Sequence, residues 1–399
     1  RYWGTPIPML YDEKGGIHAV SEKKLPVKLP KDVKFGKGNP LETSKTFINA
    51  KINGEIYRRE TDTMDTFFDS SWYFLRFTDS KNKTKMFDKK NADYWMPVDF
   101  YTGGAEHACM HLIYARFFAK VFRDMGLVSK NLNEPFKRLF NQGMVHGEDG
   151  FVMSKSRGNV AYLDEISGAY GIDTARLFLM SIASPDKDTE WNSKGIDGMH
   201  KFVNKIFEYF SKIKTGKSSP RVENKIHGTI KAITEEIENL RYNLAIIKLR
   251  ALFDYLHDKE ISKKDLEACI KILSPFAPHI AEELWEKING KGFVSFAEWP
   301  KYDAKKINIE FEKEEKNTED LIADALNVLR IVREKRKNPK KLFVYTIPKE
   351  KEIYSNNIDE ISKRTGLKAR IFAVNDNKKH DPEEKSKKAK PEKPAIYLE

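Results

Sequence analysis

The hydrophobic period of this chain changes near Ser184 and Pro185, and that change limits the folds open to it. From residue 191 to about 285, apolar residues recur at helical spacing through MHKFVNKIFEYFSKI, NKIHGTIKAITEEIENLRYNLAIIKLRALFDYL and KKDLEACIKILSPFAPHIAEELWEKI. This predicts a bundle of four or five helices with short connections, the last broken or kinked at Pro275 and Pro278. Periodicity alone attaches no function to such a bundle. What precedes it reads differently, as short strand candidates, Gly-containing turns and helices.

Residues 151–160, FVMSKSRGNV, form a polar loop with a cationic centre, between an acidic Gly-containing turn and a helical segment that begins at Leu163. Lys155 supplies a compact positive charge, Ser154 and Ser156 supply donors, and Gly158 lets the backbone turn. The combination suits a phosphate. A solvated basic loop is the plainer alternative.

Upstream, residues 98–101 are a short buried-strand candidate, Gly103 and Gly104 a tight turn, and residues 106–125 a strongly patterned helix. Strand, Gly-Gly, helix is how a doubly wound sheet presents a helix N-terminus to a nucleotide. Glu106, His107 and His111 admit a metal reading, since histidines one turn apart can share an ion, but no third ligand is obvious nearby. A capping Glu with packed histidines fits as well. Residues 139–145 predict the last parallel strand, which puts Gly143 and Met144 at its carboxyl end, where open α/β sheets bind ligands. In residues 61–77 a helix starting near Phe67 would set Phe67, Ser70 and Tyr73 roughly on one face, a spacing that serves core packing as readily as a pocket.

The chain's ends are less regular. Residues 1–60 carry strand candidates broken by Pro6 and Pro8, a Gly15-Gly16 turn and Pro/Lys-rich connections. In residues 163–184, Asp173-Thr174 is a plausible helix start. Beyond residue 305, an acidic stretch (310–320) precedes a helix over 321–336, a basic run including Arg330, Arg333, Arg336, Lys337 and Lys340, a strand at 342–348, a helix at 358–363 and a strand at 369–374. The basic run is either a solvated helical face or an RNA phosphate contact, and aromatic interleaving in it is too sparse to suggest single-strand stacking. Residues 375–399, rich in Lys, Glu and Pro, predict a disordered tail.

With 399 residues, 40% apolar content and 25 Phe, the chain is long enough for two or three domains. A net charge of +12 suggests a polyanionic partner or a highly charged surface. No apolar run is long enough to cross a bilayer. Cys109 and Cys269 give neither a disulfide framework nor a zinc ribbon and fit a reducing cytoplasm. A start at Arg1, without Met or a leader, suggests part of a longer polypeptide or one half of a split one.

M-S-K-S at 153–156 resembles the K-M-S-K-S loop of class I aminoacyl-tRNA synthetases, with Val152 in place of the first lysine. D-T-F-x-x-S-S-W-Y at 65–73 and G-G-x-E-H-x-x-x-H-L-x-Y-x-R-F at 103–117 resemble the leucyl branch. Y-N-x-A-I at 242–246 and L-x-P-F-A-P-H-I-x-E-E-L-W at 273–285 resemble the anticodon-stem domain of the leucyl, isoleucyl and valyl group. The resemblance implies an α/β + α architecture in which residues 1–60 return to the catalytic fold and 61–184 are the second half of a class I Rossmann-type catalytic domain. Residues 185–300 would be a helical-bundle anticodon-binding domain and 301–374 a small C-terminal α/β domain on tRNA. It implies ATP contacts for Gly103, Gly104, Glu106, Gly143, Met144, Ser154 and Ser156, with Lys155 stabilising the phosphates. It also implies a leucine pocket from Phe67, Ser70, Tyr73, His107 and His111, with Mg²⁺ on the phosphates and no protein cage for it.

The implied activity is leucine–tRNA ligation, with leucine, ATP and tRNA(Leu) as substrates. The family's His-x-Gly-His element and its editing domain have no counterpart here, so the N-terminal half of a synthetase is the expected partner and the chain alone is expected to form no adenylate. A non-catalytic tRNA-binding subunit, a valyl or isoleucyl enzyme, and a metalloenzyme on Glu106, His107 and His111 are the alternatives.

Overall fold

The computed structural model describes residues 4–52, 54–213, 215–257, 259–334 and 338–399, with the backbone alone for Ser193. Arg336 and Lys337, expected among the RNA-contacting cations, lie outside the described residues. The chain divides into two compact units, Arg1–Val160 with Pro185–Trp191, and Ala161–Ser184 with Asn192–Glu399. Among the described residues no helix is long and apolar enough to cross a membrane.

The first unit opens on an antiparallel sheet in the order Ile17–Ala19, Met9–Tyr11, Glu55–Arg59, Asn49–Ile52. Its core is small, with Leu10, Val20 and Ala50 buried beneath Val27, Ile52 and Tyr57. Two short helices follow, Thr66–Ser70 and Tyr73–Phe77, where one helix from Phe67 was expected. The break falls at Ser71 and Trp72: the Ser71 hydroxyl donates to the Phe68 carbonyl, and Trp72 leaves helical torsions at φ −131°. A local side-chain bond of this kind competes with the helical ladder.

Strands Tyr101–Gly104 and Leu139–Gln142 pair in parallel, joined through the helix His111–Asp124. Val145–His146 pairs in parallel with Thr189–Glu190, which ties Pro185–Trp191 into this unit. Two strand boundaries differ from expectation. Val98 makes only an isolated bridge to Phe136, and Gly103 and Gly104 are strand residues opposite Asn141 and Gln142, with no positive φ to make a turn. The expected strand over 139–145 is interrupted at Gly143 and Met144, whose N–H groups donate to the Pro185 carbonyl and the Asp188 carboxylate.

The helix His111–Asp124 buries His111, Ala115, Ala119 and Phe122, a spacing that keeps one stripe inward. It begins later than the expected Glu106 because Ala105–Ala108 wind as a 3₁₀ turn. It ends where Gly126, at φ +74°, donates to the Arg123 carbonyl while Leu127 N–H donates to Phe122, the paired bonds that close a helix C-terminus in the left-handed conformation. Leu127 then packs on the core of Phe74, Leu75, Phe87, Phe122, Val128 and Leu132.

In the second unit, Leu163–Tyr170 and Ile172–Ile182 precede five helices, Ser193–Lys212, Pro220–Glu238, Tyr242–Leu256, Lys263–Leu273 and Pro278–Lys287. Residues 161–184, expected with the catalytic fold, lie in one compact unit with these helices. Asp173 supplies one reason: its buried carboxylate accepts Ile280 N–H at 2.8 Å and the His279 ring at 2.9 Å, capping the helix that starts at Pro278.

The helix expected over 321–336 starts earlier, running Ile309–Glu334 through the acidic stretch. Glu314, Glu315 and Glu319 are neutralised by Arg221, Lys225 and Arg364, so the acidic side chains are bound along the helix instead of repelling one another. This helix, Lys351–Asn356 and Ile358–Thr365 enclose a core with the sheet Lys368–Ala373, Lys341–Thr346, Ala395–Leu398. The third strand overturns the expected disordered tail. Ala395–Leu398 pairs antiparallel with Leu342–Tyr345, and Asp381 fixes the intervening turn by accepting N–H bonds from Lys385 and Ser386. Composition missed it because four residues of sheet edge, once paired, outweigh the polarity around them.

Opposite effects are expected at two glycines around which an added Cβ meets nothing within 4 Å. Gly126→Ala should destabilise the first unit by about 1 kcal/mol, since alanine resists a positive φ. Gly198→Ala, inside the helix Ser193–Lys212, should stabilise the second by about 0.5–1 kcal/mol. Urea unfolding midpoints followed by unit-specific fluorophores would measure both.

Candidate active site

A cavity of about 260 Å³ in the first unit is lined by Phe67, Ser70, Tyr73, Tyr101, Thr102, Gly103, Gly104, His107, His111, Leu112, Leu139 and Asn141. All five residues expected to surround leucine therefore meet, although the short helices Thr66–Ser70 and Tyr73–Phe77 and the Tyr101 strand were not predicted with these bounds. The aromatic wall is interlocked: the Phe67 ring lies 6.1 Å from His107 and 6.4 Å from His111. Nothing lies within 4 Å of where a Gly103 side chain would stand, so that glycine leaves space at the cavity wall.

Tyr101 was read only as a strand residue, yet it organises the site. Its ring stacks on Phe136 at 3.8 Å, its hydroxyl accepts from Tyr73 at 3.0 Å, and it lies 2.6 Å from His111 Nε2. The Tyr101 hydroxyl thus bridges the Tyr73 hydroxyl and His111 Nε2. Burial, reinforced by nearby His107, pushes the His111 imidazole below the ordinary histidine range, and burial pushes the Tyr101 hydroxyl well above the usual tyrosine range. Both shifts favour the neutral forms of Tyr101 and His111. The only sequence signal for this bridge was a tyrosine two residues before Gly-Gly.

Glu106 and His107 are exposed, their side chains 3.9 Å apart, and Glu106 does not line the cavity. The metal reading of this cluster finds no support, because His111 Nε2 is engaged by Tyr101 and no group of three His, Cys, Asp or Glu side chains able to hold an ion occurs among the described residues.

Gly143 and Met144 do not line the cavity either. A Cβ on Gly143 would stand 2.2 Å from the Lys187 backbone, so glycine is required there for a close backbone approach. The neighbouring loop is stitched by Asn159, which sequence reasoning missed. Its Oδ1 accepts Ser154 N–H at 2.9 Å, and its amide donates to Asp149 and to the Phe151 carbonyl. This amide, with Phe151 N–H, holds the Asp149 carboxyl below the usual carboxylate range. Within that frame Gly158 takes φ +72°, the Ser154 and Ser156 hydroxyls lie 3.2 Å apart, and the Arg157 guanidinium sits over the Phe151 ring at 4.3 Å. Lys155 is exposed and has no acidic partner among the described residues, so its charge is open to an anion.

Of the expected RNA-contacting cations, Arg330 and Arg333 are exposed near the end of the helix Ile309–Glu334. Lys340 is exposed where its N–H donates to the Glu399 carbonyl.

The family profile described as tRNA synthetases class I (I, L, M and V) matches residues 1–192, and that described as the anticodon-binding domain of tRNA ligase matches residues 221–347. The leucine–tRNA ligase of Thermosipho melanesiensis is 44% identical over 339 residues, and that of Thermotoga maritima 42% over 340; each match covers 78% of this chain and 41% of the relative. Among solved structures, the leucyl-tRNA synthetase of Agrobacterium radiobacter K84, in a ternary complex with tRNA and LeuAMS, matches with a TM-score of 0.69 at 26% identity. That match covers 94% of this chain and 49% of the other. The chain thus spans about two-fifths of the length of the curated relatives it matches. Its parallel strands and cationic loop lie in the catalytic match and most of its helical bundle in the anticodon-binding match, and the chain belongs to the leucine–tRNA ligase family of class I tRNA synthetases.

Proposed function

We propose that this chain provides, within a leucine–tRNA ligase, the pocket for the leucine side chain, a loop that holds ATP phosphates, and the helical unit that engages tRNA(Leu). The observation that carries the reading is the cavity on which Phe67, Ser70, Tyr73, His107 and His111 converge. Its wall is largely aromatic, and Tyr73, Tyr101 and His111 pair with one another. A branched aliphatic side chain can enter without leaving a buried charge unpaired.

In the proposed reaction the leucine carboxylate attacks the α-phosphorus of ATP, a new C–O–P link forms, and the bond to pyrophosphate breaks. A ribose hydroxyl at the tRNA end then attacks the leucyl carbonyl and expels AMP. Both steps shift charge among phosphate oxygens, so orientation and electrostatics dominate. Lys155 neutralises phosphate charge, while Ser154 and Ser156 offer donors at its flanks. Gly103 and Gly104 let nucleotide approach the strand end, with Glu106 beside them and Gly143 and Met144 at the adenine. Mg²⁺ on the ATP phosphates would neutralise part of their charge, and the described residues offer it no ligand cluster.

Since the chain covers 41% of its curated relatives, we further propose that the segment corresponding to their N-terminal catalytic half completes the site, in the same polypeptide or as a separate subunit. Arg330, Arg333 and Lys340 are proposed tRNA phosphate contacts.

Leucylation of total tRNA, assayed with and without that N-terminal half, tests the reading: activity is expected only in the mixture, and leucine-dependent pyrophosphate exchange by this chain alone would refute the split. Lys155→Ala should lower exchange in the mixture by about 10²–10³-fold with the fold intact. Tyr101→Phe should weaken leucine binding and make it more acid-sensitive. His111 has a lowered folded-state pKa, so its contribution is present above the unfolded value of about 6.5 and is lost as pH falls through the folded value. Without the Tyr101 hydroxyl to occupy Nε2, that acid limb should move to higher pH, as read by leucine titration calorimetry between pH 5 and 8 and by ¹⁵N-histidine NMR of the His111 tautomer.

A further inference from the structure

A second cavity, of about 140 Å³, lies wholly within the second unit, between the bundle helices Pro220–Glu238 and Tyr242–Leu256 and the helices Ile309–Glu334 and Ile358–Thr365 of the C-terminal core. It is smaller than the roughly 300 Å³ at which drug-sized sites begin, so it admits only a small molecule. Its wall is polar and charged, unlike that of the aromatic cavity in the first unit, and several of its polar groups lack partners.

Asn224 is the clearest of these. It is 3% exposed, its Oδ1 accepts Asn308 N–H at 2.6 Å, and its Nδ2 has no partner among the described residues although the side chain lines the cavity. A side-chain amide so nearly buried is ordinarily satisfied at both ends. The Tyr255 hydroxyl on the same wall is also unpaired among the described residues, and burial pushes it up to about 12, which keeps it protonated as a donor. Asn357 donates through Nδ2 to the Ile353 carbonyl at 2.7 Å and leaves its Oδ1 open.

The charges around the cavity do not balance pair by pair. Arg221 is held by Glu314, and Lys225 by Glu315. Arg364 serves two carboxylates: both of its terminal nitrogens grip Glu319, and one reaches Glu360 at 3.4 Å. Lys259 has no acidic partner among the described residues, its ammonium lying 5.4 Å from the centre of the Tyr255 ring. One wall therefore carries a surplus cation, Lys259, and another a carboxylate that is only partly neutralised, Glu360.

An anion would suit Lys259, Tyr255 and Asn224 but would face Glu360, and a cation would meet the reverse difficulty. An apolar guest would strip water from all four without pairing them. A molecule with both charges a few bonds apart satisfies each wall. We propose that this cavity binds a small polar α-amino acid as its zwitterion, with the carboxylate on Lys259, the Tyr255 hydroxyl and Asn224 Nδ2, and the ammonium on Glu360 and Asn357 Oδ1. The site lies in the other unit from the leucine pocket and does not depend on the ligase reading.

Equilibrium dialysis of the full chain with ¹⁴C-serine tests it. One saturable site per chain is expected. N-acetylserine, which lacks the ammonium, and serinamide, which lacks the carboxylate, should each compete about tenfold more weakly than serine. Lys259→Gln and Glu360→Gln should each weaken serine about tenfold while unfolding thermally as wild type does. Glu360→Gln should also lose the discrimination against N-acetylserine, and Lys259→Gln that against serinamide, which a purely structural effect would not produce. Absence of saturable binding overturns the proposal, as does equal competition by the two analogues against wild type. Serine binding that both variants leave unchanged and leucine displaces overturns it too, since that binding belongs to the first unit's cavity.

Discussion

The hydroxyl of Tyr101 is the point on which the pocket depends. Tyr101 stands in a strand held in parallel pairing, its ring is clamped by Phe136, and its oxygen joins Tyr73 from one helix to His111 at the start of another. Three elements are thereby kept in register by one half-buried hydroxyl. Of the three residues only His111 is buried, and its Nε2 is satisfied by the Tyr101 hydroxyl. The same arrangement leaves an apolar cavity with no charge to repel an aliphatic guest.

A different economy governs the loop at residues 151–160. Its shape comes from hydrogen bonds within the loop and its acidic turn, above all those of Asn159, and not from burial. Lys155 and the serines therefore stay open to solvent while the backbone beneath them is tied down. This suits a site that must receive a multiply charged ligand and release it again. Gly143 shows the opposite logic, being selected by the absence of room.

Legibility in the sequence followed the range of the interaction. The five helices at 193–287 were readable because their apolar stripes repeat at short spacing, and Pro278 marked a helix start by chemistry that needs no distant partner. Strand boundaries were read less well. Gly103 and Gly104 look like a turn in isolation, and only pairing with Asn141 and Gln142 makes them strand. The tail was misread for the same reason, since residues 395–398 become a strand through an edge supplied some fifty residues earlier. Phe67, Ser70, Tyr73, His107 and His111 could be named from their motifs, whereas Tyr101 and Asn159 could not, because their importance lies in what they touch.

By itself, then, the sequence determined the alternation of α/β and helical segments, the cationic loop with Lys155, and the family motifs, all of which are local patterns of residue type. The tertiary structure alone decided that residues 161–184 join the helical unit, that the Tyr73–Tyr101–His111 chain closes, and that aromatic residues scattered between 343 and 397 gather on one sheet face. The physical reason is that strand register and side-chain pairing are set by cooperative burial between segments far apart in the chain, and no short window of sequence contains both partners.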